Sequence, residues 1–240
     1  MMGYSHAISG ALGWLVVAPP VFEMVRHPLP LGAVAAGALA CAGAATIPDI
    51  DHPQATIAYT FGPVSHGVAK VVKTLSGGHR MGTHSLIFAV GAGALTELAV
   101  LSGWKPAAWI LMFLLSAFAI RGLNLVPPTR SSFMKTVAVI VLAAALTWVL
   151  TLFPAFPWLW LGPAVFAGCI IHCLGDSLTP QRVPWLWPKR TRYGITIGKK
   201  SIIEVTGNAT ETRIITPIMT VALVVMIWFT IINPMLKTLH

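Results

Sequence analysis

The chain has only three aspartates, Asp49, Asp51 and Asp176, and each lies within four residues of a histidine. Asp49 and Asp51 belong to the stretch IPDIDHP with His52; Asp176 closes HCLGD, which opens on His172. His79 and His84 share the stretch HRMGTHS, and His6 stands near the amino terminus. Carboxylate oxygen and imidazole nitrogen together form the donor set of zinc and other divalent first-row metals, and without a thiolate cluster they suit an open site rather than a closed structural one. His172 and Asp176 are about one helical turn apart, so on a helix they share a face and can grip one ion.

These donors outnumber the three or four protein ligands of a single open zinc site. His6, Asp49, His84, His172 and Asp176 are the expected ligands. Asp51, His52 and His79 come next, as further ligands, as a general base or as groups that orient ligands. The count suggests two ions, a site able to activate water and stabilise charge on an attacked phosphoryl or carbonyl group. Arg80, directly after His79, has the planar fork that suits a phosphate. Thr83, Ser85 and Thr179 could orient ligands or cap helices.

The elements that must position these groups are membrane helices. The 240 residues are 56% hydrophobic and only 10% charged, a balance rare in water-soluble domains. Seven apolar segments stand out, at about 7–22, 31–47, 85–101, 107–125, 136–153, 158–174 and 214–235. Pro19 and Pro20 interrupt the first, which makes a half-length helix and a total of six spans the alternative. The expected fold is an all-α polytopic membrane protein, a single domain over 1–240. Residues 53–84 hold a motif loop and a short interfacial helix on which Val64, Val68, Val71, Val72 and Leu75 oppose Lys70 and Lys73. Residues 177–213 hold a cytoplasmic loop in which YGITI and SIIEV form a small β-hairpin about GKK, behind an aromatic anchor of Trp185 and Trp187. The start MMGYSHAISG lacks a basic region and a clear cleavage site, so no cleaved signal peptide is expected. Cys41, Cys169 and Cys173 lie in apolar runs and read as small buried residues.

If all seven segments cross, one face receives thirteen of the 16 Lys and Arg residues, and the other receives only Arg26, Lys105 and Lys237. The basic face should be cytoplasmic, with the amino terminus on it and the carboxyl terminus outside. All three aspartates and His6, His52, His79, His84 and His172 fall at segment ends on that same face. Ionisable groups at membrane depth are costly and tend to mark function.

In the order His6, PDIDH at 48–52, HRMGTHS at 79–85 and HCLGDSLTP at 172–180, the chain resembles the YdjM-type family of bacterial membrane-bound, metal-dependent hydrolases, also described as LexA-regulated inner-membrane hydrolases. The resemblance covers roughly residues 3–205. It implies a divalent metal, zinc first and manganese as the alternative, and hydrolysis at the bacterial inner membrane. The helical His-x-x-x-Asp pair is also similar to ligand pairs in zinc-dependent phospholipases C, which implies a lipid phosphoester or ester as an amphiphilic substrate, with membrane lipids as the partners. A divalent-metal transporter or sensor is one rival reading, although transport sites usually lie near the bilayer midplane. A non-catalytic membrane binding protein is the other. Net charge of +9 is largely explained by the positive-inside pattern, and no aromatic-basic module is present, so a nucleic-acid partner is not expected. Glu97 and Arg121 are read as a partnered intramembrane acid and a snorkelling cation.

Overall fold

The computed structural model describes residues 1–126, 131–151, 158–198 and 200–238. Arg130, Lys199 in the predicted hairpin turn, the tail of the fifth predicted segment to Phe153, and His240 lie outside the described residues. Eight helices account for most of the rest: α1 Gly3–Met24, α2 Leu31–Ala44, α3 Pro63–Leu75, α4 Leu86–Leu101, α5 Lys105–Gly122, α6 Ser132–Thr151, α7 Leu161–Ser177 and α8 Glu211–Lys237. The last contains two π-helical stretches, Glu211–Ile215 and Trp228–Ile232.

The seven predicted apolar segments coincide with seven of these helices. Five stretches are long and apolar enough to cross a membrane: Gly3–Met24, Leu31–Asp51, Ser132–Leu150, Trp158–Ser177 and Glu211–Lys237. Leu86–Leu101 and Pro106–Gly122 are apolar but shorter. α1 is not half-length: it runs through Pro19 and Pro20 to Met24. A proline has no N–H to donate, so the carbonyls of Leu15 and Val16, four residues before Pro19 and Pro20, lose their usual intrahelical partners.

The chain's small residues set how the bundle packs. α2, LGAVAAGALACAGA, is buried along most of its length and contacts α1, α5 and α7. In hydrocarbon no hydrophobic effect drives helices together, so close van der Waals contact must, and small side chains permit it. A Cβ built on Gly168 of α7 would lie 2.5 Å from the Ala44 Cβ and 2.7 Å from the Cys41 carbonyl oxygen. One on Gly10 of α1 would lie 2.6 Å from that same oxygen, and one on Gly43 would collide with the Leu115 carbonyl of α5. Gly93 of α4 and Gly162 of α7 make a similar seam, where Glu97 Oε2 accepts a hydrogen bond from Gly162 N at 3.3 Å. At the far side of α1, Trp14 packs on Gly37 and donates from Nε1 to the Val34 carbonyl at 3.2 Å. The three cysteines are free and buried, as their apolar surroundings suggested.

The predicted helix after residue 53 is present as α3. Its exposed stripe of Val64, Val68, Val71 and Leu75 stands beside exposed Lys70 and Lys73. The predicted hairpin is present but short: β1 Thr196–Ile197 pairs antiparallel with β2 Lys200–Ser201. The flanking residues make other bonds. Ile195 N donates to the Ser177 carbonyl at 2.7 Å, Ile203 N donates to the Leu178 carbonyl at 3.0 Å, and Tyr193 bridges to Val183. Backbone groups that could have lengthened the ladder are used to cap the end of α7. Trp185, expected as an interfacial anchor, donates from Nε1 to Ser177 Oγ at 3.1 Å, and its carbonyl accepts from Leu86 N at 2.9 Å. The loop thereby ties the end of α7 to the start of α4.

Gly168→Val should therefore force α2 and α7 apart and cost about 1–3 kcal/mol, the usual range for overpacking. The expected result is a lower thermal midpoint in mild detergent, while Gly91→Ala, whose added Cβ meets nothing within 4 Å, should match the wild type.

Candidate metal centre

Four separated elements deliver the site to one end of the bundle. His6 comes from the start of α1, and Asp49 and Asp51 from the 3₁₀ turn Ile47–Asp51 that continues α2. His84 comes from the 3₁₀ turn Gly82–His84 before α4, and His172 and Asp176 from the end of α7. In a 3₁₀ turn successive side chains are about 120° apart, so Asp49 and Asp51 point in different directions. The donors fall into two groups that share Asp49 and His84: Asp49, His84, His172 and Asp176 in one, and Asp49, Asp51, His79 and His84 in the other.

The first group has the geometry of a coordination shell. His84 Nε2 and His172 Nε2 are 3.2 Å apart. Asp176 Oδ2 is 3.5 Å from the former and 3.6 Å from the latter, and Asp49 Oδ1 is 3.6 Å and 3.7 Å from the same two nitrogens. Ligands bound at the usual zinc distances on a tetrahedron stand about 3.3 Å apart, so five of the six edges between these atoms are near that value.

Hydrogen bonding fixes which atoms face the centre. The Ala45 carbonyl can only accept, so at 2.7 Å it holds the proton on His172 Nδ1 and leaves the Nε2 lone pair toward the centre. Thr83 Oγ1 donates to Asp51 Oδ2 at 2.5 Å and lies 3.0 Å from His84 Nδ1, which orients the His84 ring likewise. Asp176 is divided between two environments. Its Oδ1 takes the Met1 amino group at 2.7 Å and Arg80 at 2.9 Å, with His6 Nε2 at 3.3 Å. Its Oδ2 is buried and, among the described residues, accepts no hydrogen bond. A buried carboxylate oxygen without a donor, beside two imidazole lone pairs, fits a cation at the centre.

For His84, burial works against the charged imidazole, but the carboxylates of Asp176, Asp49 and Asp51 outweigh it and raise its pKa well above the ordinary histidine value. A proton on His84 and a divalent ion are thus alternative answers to the same concentration of negative charge.

The second group is largely satisfied within itself. Asp51 accepts from His79 Nδ1 at 2.8 Å, from Arg80 N at 3.1 Å and from Thr83 Oγ1. The His79 side chain is partly exposed, with His52 packed edge-on at a ring distance of 4.5 Å. His52 itself stays outside both groups: its Nδ1 accepts from Gln54 N at 3.2 Å. Burial, and then the neighbouring His79, push the His52 pKa down.

Of the five expected ligands, four converge and His6 flanks them, stacked on the His172 ring at 3.8 Å. Of the four residues expected in catalytic roles, Asp51 and His79 form a dyad, and Arg80 is buried against Asp176 and Thr179, donating to Thr179 Oγ1 at 2.7 Å. The contributions of the Ala45 carbonyl and the Met1 amine had no counterpart in the sequence reading, since backbone groups carry no side-chain signature. A void no larger than one water opens beside Asp49, lined by Gly3, Thr46, Thr56, Phe118 and Gly122 among others.

Comparison with known proteins gives no match among curated proteins and none among solved structures. The family model described as YdjM inner membrane protein matches residues 1–121 and 133–237, which include every residue of both groups. The chain therefore belongs to the YdjM inner membrane protein family.

Proposed function

We propose that this chain is a membrane-embedded, metal-dependent hydrolase that holds a divalent ion, zinc or alternatively manganese, through Asp49, His84, His172 and Asp176. Its substrate is a lipid-like phosphoester or ester, cleaved at the cytoplasmic face of the inner membrane. The observation that carries this reading is the set of four ligand atoms, five of whose separations fall between 3.2 and 3.7 Å. The skew of Lys and Arg toward the end of the bundle that holds the site supports a cytoplasmic location. That same placement, at helix ends rather than mid-span, favours an enzyme over a transporter.

The donor count in the sequence suits two ions, but the hydrogen bonds on Asp51 argue for one: a second ion would have to displace His79, Thr83 or the Arg80 amide. A bound ion supplies Lewis-acid polarisation of the scissile group and makes water more acidic. Asp51 holds the proton on His79 Nδ1, so His79 Nε2 can take a proton from water and return it to a leaving group. The Arg80 guanidinium, committed to Asp176 and Thr179, offsets the carboxylate and fixes its orientation.

Elemental analysis of purified wild type should give about one zinc or manganese per chain, with loss in Asp49→Ala and His172→Ala. Absence of bound metal after reconstitution with several divalent ions would sink the reading. Asp51→Asn removes an orienting partner rather than a ligand, and should weaken metal affinity by about 10–100-fold. His79→Gln should retain the metal and lower turnover of a responsive lipid phosphoester by about 10²–10⁴-fold, measured beside wild type in mixed micelles.

The raised pKa of His84 gives a signed pH dependence. In metal-free protein the proton on His84 contributes stability that is fully present below the ordinary histidine pKa and lost as pH rises through the raised value. Metal must displace that proton, so affinity should rise with pH over the same interval. Thermal midpoints with and without zinc should therefore diverge as pH increases, and a constant difference would count against His84 as a ligand.

A further inference from the structure

A second feature lies beside the metal centre on the side of α3 and α4. An apolar groove of about 550 Å³, open along one side, is walled by Val72 and Leu75 of α3, Ile87, Phe88 and Leu95 of α4, and Trp187. Its floor includes Gly91, where an added Cβ would meet nothing within 4 Å, so the space over this turn of α4 is open. Thr83 also lines it, and the Thr83 hydroxyl bonds Asp51 and touches His84. One groove thus reaches from the middle of α4 to a residue in contact with a proposed ligand.

What fills the groove follows from its surroundings. α4 exposes Val90, Leu98 and Leu101 beyond the groove, so in a bilayer its mouth opens onto hydrocarbon. Bilayer lipid supplies apolar chains there. At the other end the residues that follow the lining are cationic: Lys73 comes directly after Val72, and Lys189 and Arg190 come two and three residues after Trp187, all three exposed. A chain already in hydrocarbon gains nothing from the hydrophobic effect by entering, so residence must come from fit and from charge on its headgroup. An apolar slot ending in a cationic rim is complementary to a lipid carrying negative charge.

The geometry points to this groove as the seat of one acyl chain of an anionic glycerophospholipid, which moves in sideways from the bilayer with its headgroup at the Lys73 and Lys189 rim, next to Thr83. This names the substrate class of the hydrolase and, for the fate of the headgroup, rests on that reading. Occupation of the groove does not depend on it.

The test uses full-length protein in phosphatidylethanolamine vesicles containing phosphatidylglycerol with a photoactivatable diazirine midway along one acyl chain. After illumination, labelled peptides are mapped by mass spectrometry and metal content is measured on the same preparations. Labelling should concentrate on residues 72–76 and 87–95. Gly91→Phe, which fills the floor, should lower that labelling about tenfold, an effect of about 1.4 kcal/mol, while Gly91→Ala should leave it near wild type. Even labelling over the lipid-facing sides of α1, α6 and α8, or labelling of α4 unchanged by Gly91→Phe, would overturn the proposal. Retained metal in Gly91→Phe shows that the fold is intact. Groove labelling in protein that binds no metal would keep the groove and sink the hydrolase reading; metal without groove labelling would do the reverse.

Discussion

The Asp176 carboxylate is the constraint on which the site depends, because its two oxygens are treated so differently. Oδ1 meets two cationic groups, the Arg80 guanidinium and the Met1 amine, whereas Oδ2 faces His84 and His172 with no hydrogen bond of its own among the described residues. Burying a carboxylate is tolerable only when its charge is offset, and here the offset on one side leaves the other oxygen available. Arg80 carries this arrangement across to Asp51, since its side chain holds Asp176 while its backbone N–H donates to Asp51 Oδ2. Its left-handed backbone, at φ 57°, costs roughly 1–3 kcal/mol for a residue that is not glycine. Such a conformation persists because surrounding bonds fix it at both ends. One strained residue therefore joins the group around Asp176 to the His79–Asp51 dyad.

Small residues in the helices make that junction possible. Coordination chemistry requires ligand atoms to be placed within about 0.5 Å, and these atoms come from elements far apart in the chain. Backbone contact between α2 and α7 at Gly168, and between α2 and α1 at Gly10, leaves no slack in how those helices sit. The loop after α7 adds a second restraint, because Ile195 and Ile203 bond the carbonyls at the end of the helix that carries His172 and Asp176. Glu211 fastens the opposite partner: its Oε1 accepts from Met2 N at 2.6 Å and its Oε2 from Gly207 N at 2.8 Å, holding the start of α1 beside α8.

Much of this was legible in the sequence, for physical reasons. Apolar runs of span length announce membrane helices because hydrocarbon leaves few other options, and scarce ionisable residues at their ends stand out against that background. That Asp49, His84, His172 and Asp176 would converge could be expected from residue type, spacing and their shared place at segment ends. The division of labour between Asp49 and Asp51 could not, since it depends on a 3₁₀ turn aiming neighbours in different directions. Counting donors suggested two ions, and such a count carries no information on the bonds that Thr83, His79 and a backbone amide make to Asp51. Likewise, YGITI and SIIEV had strand character, but the free carbonyls at the end of α7 competed for their N–H groups and shortened the hairpin.

The proposed reaction takes water and an amphiphile, and the two spaces beside the site differ accordingly. The water-sized void at Asp49 is lined by Gly3 of α1, Phe118 and Gly122 of α5 and residues 46 and 55–57, whereas the apolar groove beside Thr83 lies between α3 and α4. Hydrolysis of an amphiphile needs both an aqueous and a hydrocarbon approach, and a site at mid-span would have neither water nor a headgroup within reach. A site on an extramembrane domain would instead require lifting the lipid chain into water, at about 0.8 kcal/mol for each methylene exposed. Under the proposed reaction, a site held at the membrane boundary would let the acyl chain stay in an apolar environment, so that only the polar linkage has to reach Asp49 and His84. On that reading the end of the bundle is the favourable place for lipid hydrolysis, and ionisable residues on helices whose remaining length is apolar are what it requires.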